Sequence, residues 1–244
     1  VFIRTDASHQ IGSGHVMRCL TLAEVLRESG AEVQFICRAH YGNMIELIRG
    51  KEFIVHELLA PESQESQPVQ GADTESKYTR WLGTSQGEDA KETIAAFQEK
   101  YPDWLIVDHY ALGQTWEMQI RPNVRKIMLI DDLANRVHDC DLLLDQNYFI
   151  DGESRYEGLV SPACTKLLGP RYALLRPEFT KARKRLKLHT KKVQRVFVFI
   201  GGTDHDNVTG KAMEALSFPE FGHLNVDVVI GAHNPHRAEI ERQV

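Results

Sequence analysis

The chain has 244 residues, 42% of them hydrophobic, enough to bury a core as one large domain or two smaller ones. Its formal net charge of −5 argues against nonspecific nucleic-acid binding, and no apolar run approaches the roughly 20 residues that a bilayer-spanning helix needs. The first residues carry no charged region followed by an apolar run and a cleavage pattern, so the expected setting is cytoplasmic, with neither nucleic acid nor membrane as partner.

Val1–Arg4 is a short extended run, and Asp6 follows it. Gly12 and Gly14 then lead into a segment where Val16, Leu20, Ala23 and Leu26 fall on one helical face. A strand, a glycine turn and a helix N-terminus would gather backbone N–H groups with the side chains of Asp6, Ser13, His15 and Arg18, a setting for an anionic ligand. A dinucleotide fingerprint would need a third glycine where this chain has Met17, which weakens a dehydrogenase reading. A bare turn explains the glycines but not His15 in the first helical turn with Arg18 three residues on, along the same face. The positive end of the helix dipole disfavours imidazolium, so His15 reads as a neutral base.

Gly30 stops this helix. Val33–Cys37 reads as a buried strand, Asn43–Arg49 as helical and Phe53–Val55 as a further strand. From Pro61 to Gly87 the chain is rich in Gln, Glu and Ser, which suggests a lid or a weakly ordered insertion near the site, with Tyr78 and Trp81 either contacting ligand or pinning the loop. Glu88–Lys100 reads as a helix with Ile94, Phe97 and Tyr101 inward. Cys19, Cys37, Cys140 and Cys164 include no C-x-x-C pair and read as reduced structural thiols, and the histidines show no zinc spacing.

Three short apolar strands follow, each ending in polar groups: Trp104–Val107 before Asp108-His109-Tyr110, Lys126–Ile130 before Asp131-Asp132, and Leu142–Leu144 before Asp145-Gln146-Asn147. Strands alternating with helices imply a parallel sheet covered on both faces, and ligands bind outside the carboxyl ends of such strands. Any one of these acids is ordinarily a cap or turn residue. Together they point to a polar cleft at the edge that carries the Gly12–His15 loop. The adjacent pair Asp131-Asp132 invites a metal, but without further acidic ligands in sequence it is weak support, and neither metal nor cofactor is expected.

After Asp151 the pattern loosens. Lys181 to Arg195 holds eight Lys or Arg and no acid, which reads as a solvated connecting helix at a domain junction rather than a phosphate or membrane patch. Val196–Ile200 is then a clear strand, followed by Gly201-Gly202-Thr203-Asp204 and an amphipathic helix carrying Val208, Ala212 and Leu216, with Val226–Ile230 starting the next unit. The expected organisation is α/β: a Rossmann-like domain over 1–150 carrying the catalytic loop, a connecting segment over 151–192, and the start of a second, nucleotide-binding Rossmann-like domain over 193–244, expected to be incomplete.

With both glycine loops placed, the sequence resembles the UDP-2,4-diacetamido-2,4,6-trideoxy-β-L-altropyranose hydrolases of pseudaminic acid biosynthesis. The matching pieces, in family order, are Arg4-Thr5-Asp6, Gln10-Ile11-Gly12-Ser13-Gly14-His15, Asp108-His109-Tyr110, Asp131-Asp132, Tyr156-Glu157-Gly158-Leu159-Val160, Tyr172-Ala173-Leu174-Leu175-Arg176 and Gly201-Gly202-Thr203-Asp204. The resemblance implies a GT-B-like architecture of two Rossmann-like halves and a UDP-sugar as partner. It implies that His15 is the base that activates water, with inversion at C1, and that Tyr110 helps position sugar or water. Asp6, Gly12, Ser13, Gly14, Arg18, Asp108 and Asp131 would line the sugar site, Asp108 or Asp131 steadying oxocarbenium charge, and Gly201, Gly202, Thr203 and Asp204 would hold the diphosphate. Later segments of the family's second domain have no counterpart before Val244, so weak UDP binding is expected of this chain alone. A GT-B transferase with the same donor and a non-catalytic nucleotide-sugar module are the alternatives.

Overall fold

A computed structural model describes residues 1–60, 74–152, 154–186, 192–202, 204, 206–231 and 234–243. The chain divides into two compact units, Val1–Thr180 and Lys181–Val244. The first is built on a seven-stranded, all-parallel sheet: β1 (Phe2–Thr5), β2 (Gln34–Arg38), β3 (Ile54–Leu58), β4 (Trp104–Asp108), β5 (Lys126–Ile130), β6 (Leu142–Asp145) and β7 (Thr165–Leu168), in the order β3-β2-β1-β4-β5-β6-β7. This is the Rossmann-like arrangement the alternation of strands and helices calls for.

The period of two along the strands feeds two cores. Phe2, Ile36, Leu105, Val107, Ile127, Leu129 and Leu143 face one side, and Ile3, Phe35, Cys37, Ile106, Ile130 and Leu144 face the other. Helices α1 (Gly14–Glu28) and α2 (Ile45–Gly50) cover the second face through Val16, Cys19, Leu20, Ala23, Ile45 and Ile48. After α3 (Thr74–Leu82), helices α4 (Gln86–Ala96) and α5 (Gln114–Ile120) cover the first through Ala90, Trp116 and Ile120. The connection leaving β1 therefore turns to one face and the connection leaving β4 to the other, although the two strands are neighbours. In parallel sheets ligands bind beyond the carboxyl ends of two strands related in this way.

Local signals explain the helix boundaries. Gly30 takes φ +91°, and the N–H of Ala31 returns to the Leu26 carbonyl at 3.0 Å, closing α1 as a left-handed glycine stop does. Ser85 caps α4 by accepting from the Glu88 N–H at 3.1 Å. The helix expected over Glu88–Lys100 starts and ends earlier, so Tyr101 lies beyond it and is 59% exposed, while Phe97 is buried as expected.

Residues 151–180, read from sequence as part of a connecting segment, fold with the first unit and supply β7, paired in parallel with β6 from Leu142 opposite Thr165 to Asp145 opposite Leu168. Helix α6 (Pro177–Arg185) runs across the division between the units. The second unit contains β8 (Arg195–Val198), α7 (Val208–Leu216), β9 (Asn225–Val228) and α8 (Arg237–Ile240), with β8 and β9 forming a parallel pair. Gly231, after β9, lies so close to the Gly202 backbone that a Cβ there would stand 1.9 Å from its carbonyl oxygen, so this approach requires glycine. No helix among the described residues is long and apolar enough to cross a membrane.

Candidate functional site

β1 delivers the chain to the carboxyl edge of the sheet, where it folds back on itself before α1. The Gly12 N–H reaches the Ser8 carbonyl at 2.8 Å, and Gly12 sits at φ +80°, a conformation that costs a side-chain-bearing residue about 1–2 kcal/mol. Ser13 occupies the N-cap position without using its side chain as a cap, and Ser13 and Gly14 are exposed. His15, in the first turn, is 7% exposed.

The residue that organises His15 comes from the end of β4. Asp108 is fully buried; its Oδ1 lies 2.6 Å from His15 Nδ1 and accepts from Arg18 Nη2 at 2.6 Å, while its Oδ2 accepts from Arg18 Nε at 2.6 Å. Burial alone would raise this carboxyl, but the charge of His15 and the hydrogen bonds from Arg18 and His15 outweigh it and hold the group at about 2. Ionised, Asp108 can only accept, so the hydrogen between them sits on His15 Nδ1, and the neutral tautomer consistent with this bond has Nε2 as its acceptor. The i, i+3 spacing of His15 and Arg18 lets one carboxylate hold both.

Tyr110, two residues past Asp108, meets the His15 ring edge to face at a centroid distance of 4.6 Å. Tyr78 and Trp81 of α3 complete an aromatic wall: Trp81 lies 6.3 Å from His15 and 5.9 Å from Tyr110, and Tyr78 lies 5.2 Å from Tyr110. The polar stretch read as a lid or a weakly ordered insertion thus contributes a helix beside His15, while its residues 61–73 lie outside the described residues. The Tyr110 hydroxyl donates to Asp132 at 2.5 Å, and burial together with that carboxylate pushes the phenol above its usual range.

Several expected ligand-lining acids serve another purpose. Asp6 is fully buried, its Oδ1 accepting from Arg4 Nη1 at 2.6 Å and from the Arg38 N–H at 2.7 Å, with His109 Nε2 3.3 Å from its Oδ2. Despite burial, the charge of Arg4 and the nearby imidazoles of His109 and His40 hold Asp6 well below the usual carboxylate range. Arg4 continues to Asp89 of α4 at 2.7 Å, which Arg38 and the Trp116 indole N–H also reach, at 2.7 and 3.0 Å. This network ties the ends of β1 and β2 to α4 and α5. Asp131 is also fully buried; it accepts from the Ala134 N–H at 3.0 Å and pairs with Arg136 at 3.0 Å, and the Tyr156 hydroxyl donates to its carbonyl at 2.8 Å. Contact of Asp6, Asp108 or Asp131 with a sugar is therefore corrected: at 0% exposure each holds neighbouring protein groups instead.

Asp131 and Asp132 send their carboxylates to different partners, and among the described residues no three or more His, Cys, Asp or Glu side chains are grouped to hold a metal ion. The four cysteines are buried free thiols, Cys140 and Cys164 lying 3.6 Å apart. Sequence reading undervalued Asp132, Asn147 and Arg155, which meet at the edge: Asn147 Nδ2 donates to Asp132 at 3.0 Å, and Arg155 Nη2 to its carbonyl at 2.7 Å. The strand-end position of Asp132 and Asn147 was the available signal; Arg155, midway between β6 and β7, carried none.

In the second unit, Gly201 takes φ +75° and Gly201 and Gly202 are exposed, while Thr203 lies outside the described residues. Asp204 accepts from the Val208 and Thr209 N–H groups at 2.8 and 2.9 Å, and Asn207 from that of Gly210 at 3.1 Å. These carboxylate and amide oxygens fill the first turn of α7 where an anion would otherwise bind. Asp204 is thus a capping residue, and Gly201 and Gly202 are the exposed part of the loop among its described residues.

No protein-family model matches the chain. It is a distant homologue of the UDP-2,4-diacetamido-2,4,6-trideoxy-β-L-altropyranose hydrolase of Campylobacter jejuni, 28% identical over 243 residues that span 99% of this chain and 73% of that protein. It is also 23% identical over 252 residues to an uncharacterised protein of Methanocaldococcus jannaschii, spanning 98% of this chain and 44% of that one. Among solved structures, Acinetobacter baumannii MurG, a GT-B glycosyltransferase, superposes with a TM-score of 0.50 at 11% identity, over 98% of this chain and 70% of that one. The likeness assigns the fold.

Proposed function

We propose that this chain hydrolyses UDP-2,4-diacetamido-2,4,6-trideoxy-β-L-altropyranose to the free sugar and UDP, as its Campylobacter jejuni relative is named for doing. The observation that carries the proposal is His15 at the start of α1, its Nδ1 fixed by buried Asp108 at 2.6 Å and its ring against Tyr110. UDP leaves readily, so the demanding part is to aim and deprotonate water. Water oxygen forms a bond to C1, His15 Nε2 takes the proton, and the C1–O bond to the diphosphate breaks with its electron pair passing to UDP. Attack opposite the leaving group inverts C1. Arg18 and Asp108 keep the imidazole oriented.

An NMR time course in ¹⁸O-labelled water with this substrate and no added acceptor tests the reading. Inverted free sugar carrying the label is the expected result. Label in UDP would mean P–O cleavage and would reject the mechanism; substrate left intact until an acceptor is added would point to a transferase. His15→Ala should lower turnover by about 10²-fold or more, and unchanged turnover would remove His15 from the base role.

A further inference from the structure

Three groups converge on one side chain that the mechanism above leaves unused, and a fourth holds its backbone. Asp132, just past β5, is 15% exposed at its side chain, whereas those of Asp6, Asp108 and Asp131 are 0% exposed. Its Oδ1 accepts the Tyr110 hydroxyl at 2.5 Å, its Oδ2 accepts Asn147 Nδ2 at 3.0 Å, and Arg18 Nη1 stands 3.5 Å from Oδ2. Its carbonyl is pinned by Arg155, whose guanidinium lies over the Phe149 ring at 3.4 Å. Residues just past β4 and β6 and from α1 therefore meet this carboxylate, Arg155 holds its backbone, and the carboxylate in turn fixes one hydroxyl.

A carboxylate oxygen only accepts, so the phenolic proton is committed to it and the lone pairs of Tyr110 Oη are left to accept. We infer that Asp132 is a positioning residue that sets the direction of the Tyr110 hydroxyl, making its oxygen a second hydrogen-bond acceptor beside the His15 ring. This rests on the hydrolase reading for its chemical meaning. Two acceptors carried by rings whose centroids lie 4.6 Å apart, His15 Nε2 and Tyr110 Oη, suit a molecule that offers two hydrogens and keeps a lone pair for attack, which describes water. A sugar hydroxyl, with one hydrogen to give, satisfies only one of them. The arrangement thus favours water over an acceptor alcohol, a preference the fold alone does not supply.

The groups facing the phenol are Asp108 on its own segment, His15 and Arg18 from α1, Asp132, and the Tyr78 and Trp81 rings from α3. Burial, Asp132 and Asp108 disfavour ionisation of the phenol, and Arg18 favours it. Ultraviolet difference titration of each protein against its Tyr110→Phe counterpart isolates this phenol from the other tyrosines. Asp132→Ala should bring its ionisation down toward the ordinary value of about 10. It should also lower kcat about 10-fold or more while KM stays within about threefold, and adding Asp132→Ala to Tyr110→Phe should cost little beyond Tyr110→Phe alone. Asp132→Asn, which keeps the shape and one acceptor, serves if the alanine variant does not fold, with a smaller loss of kcat expected and the same direction of titration. A phenol that titrates as in the wild type, or rate losses that simply add, would overturn the inference. If the wild type releases no UDP, the hydrolase reading fails, and the titration still decides whether Asp132 governs Tyr110.

Discussion

Asp108→Asn separates the orienting role of this residue from any contact with ligand. The carboxylate is fully buried and accepts from three nitrogens at 2.6 Å each, one of His15 and two of Arg18. Asparagine offers one acceptor and turns N–H donors toward donors, leaving Arg18, 13% exposed at its side chain, with Asp132 3.5 Å away as its remaining charge partner. The displacement of Asp108 from 3.8 to about 2 corresponds to roughly 2 kcal/mol of native-state stabilisation at neutral pH. Stranding a buried partner costs about 3–5 kcal/mol in general. The partial exposure of Arg18 places the expected loss near the low end, at about 2–3 kcal/mol. Because the folded value is depressed, this contribution is complete above the unfolded value of 3.8 and disappears as pH falls through about 2. The gap between wild type and variant should therefore be present at about pH 5 and narrow toward about pH 2.5. Urea unfolding followed by tryptophan fluorescence suits the measurement, since Trp81, Trp104 and Trp116 all lie in the first unit. A gap under about 0.5 kcal/mol at pH 7, or one that stays level down to about pH 2.5, would refute the argument. Turnover should fall about 10³-fold or more, because the imidazole loses the partner that selects its tautomer.

Tyr156→Phe removes a buried hydroxyl that donates to the Asp131 carbonyl at 2.8 Å and lies 3.1 Å from Asp145 Oδ2; a loss of about 1–3 kcal/mol is expected in the same fluorescence assay, and no loss would mean that solvent replaces the hydroxyl. Asp204→Ala uncaps α7 and should cost the second unit about 0.5–2 kcal/mol, seen as faster exchange of the Val208 and Thr209 amides with no change in tryptophan-detected unfolding. Unaltered exchange would contradict the capping role.

The sheet was legible because its central strands are continuous apolar runs, Leu105–Val107 and Ile127–Ile130, buried on both faces. The edge strand β7 was missed since Thr165 and Lys166 are exposed, a composition that fits a half-covered edge as well as a loop. His15 and Arg18 could be paired from helical spacing. Their anchor could not, because Asp108 stands 93 residues from His15 and strand-end position alone does not separate a buried partner of other side chains from a ligand contact. The same ambiguity hid the division of labour between Asp131, which braces Arg136 and the Ala134 turn, and its neighbour Asp132, which faces Tyr110. Helix α3 lay in a stretch whose polar composition suggested a loop, and it is the fold that carries Trp81 to His15.

Strand β1 pairs with β4 from Phe2 opposite Leu105 to Thr5 opposite Asp108, across about a hundred residues of chain. During synthesis at about 5–20 residues per second, the first strand waits roughly 5–20 s with that edge uncovered. It can meanwhile pair only with β2 on its other side, and its open edge is the kind that recruits foreign strands. Because Asp108 arrives on the same strand that closes this gap, His15 and Arg18 gain their anchor in the step that removes the exposed edge, so the site is assembled late, together with the centre of its own sheet.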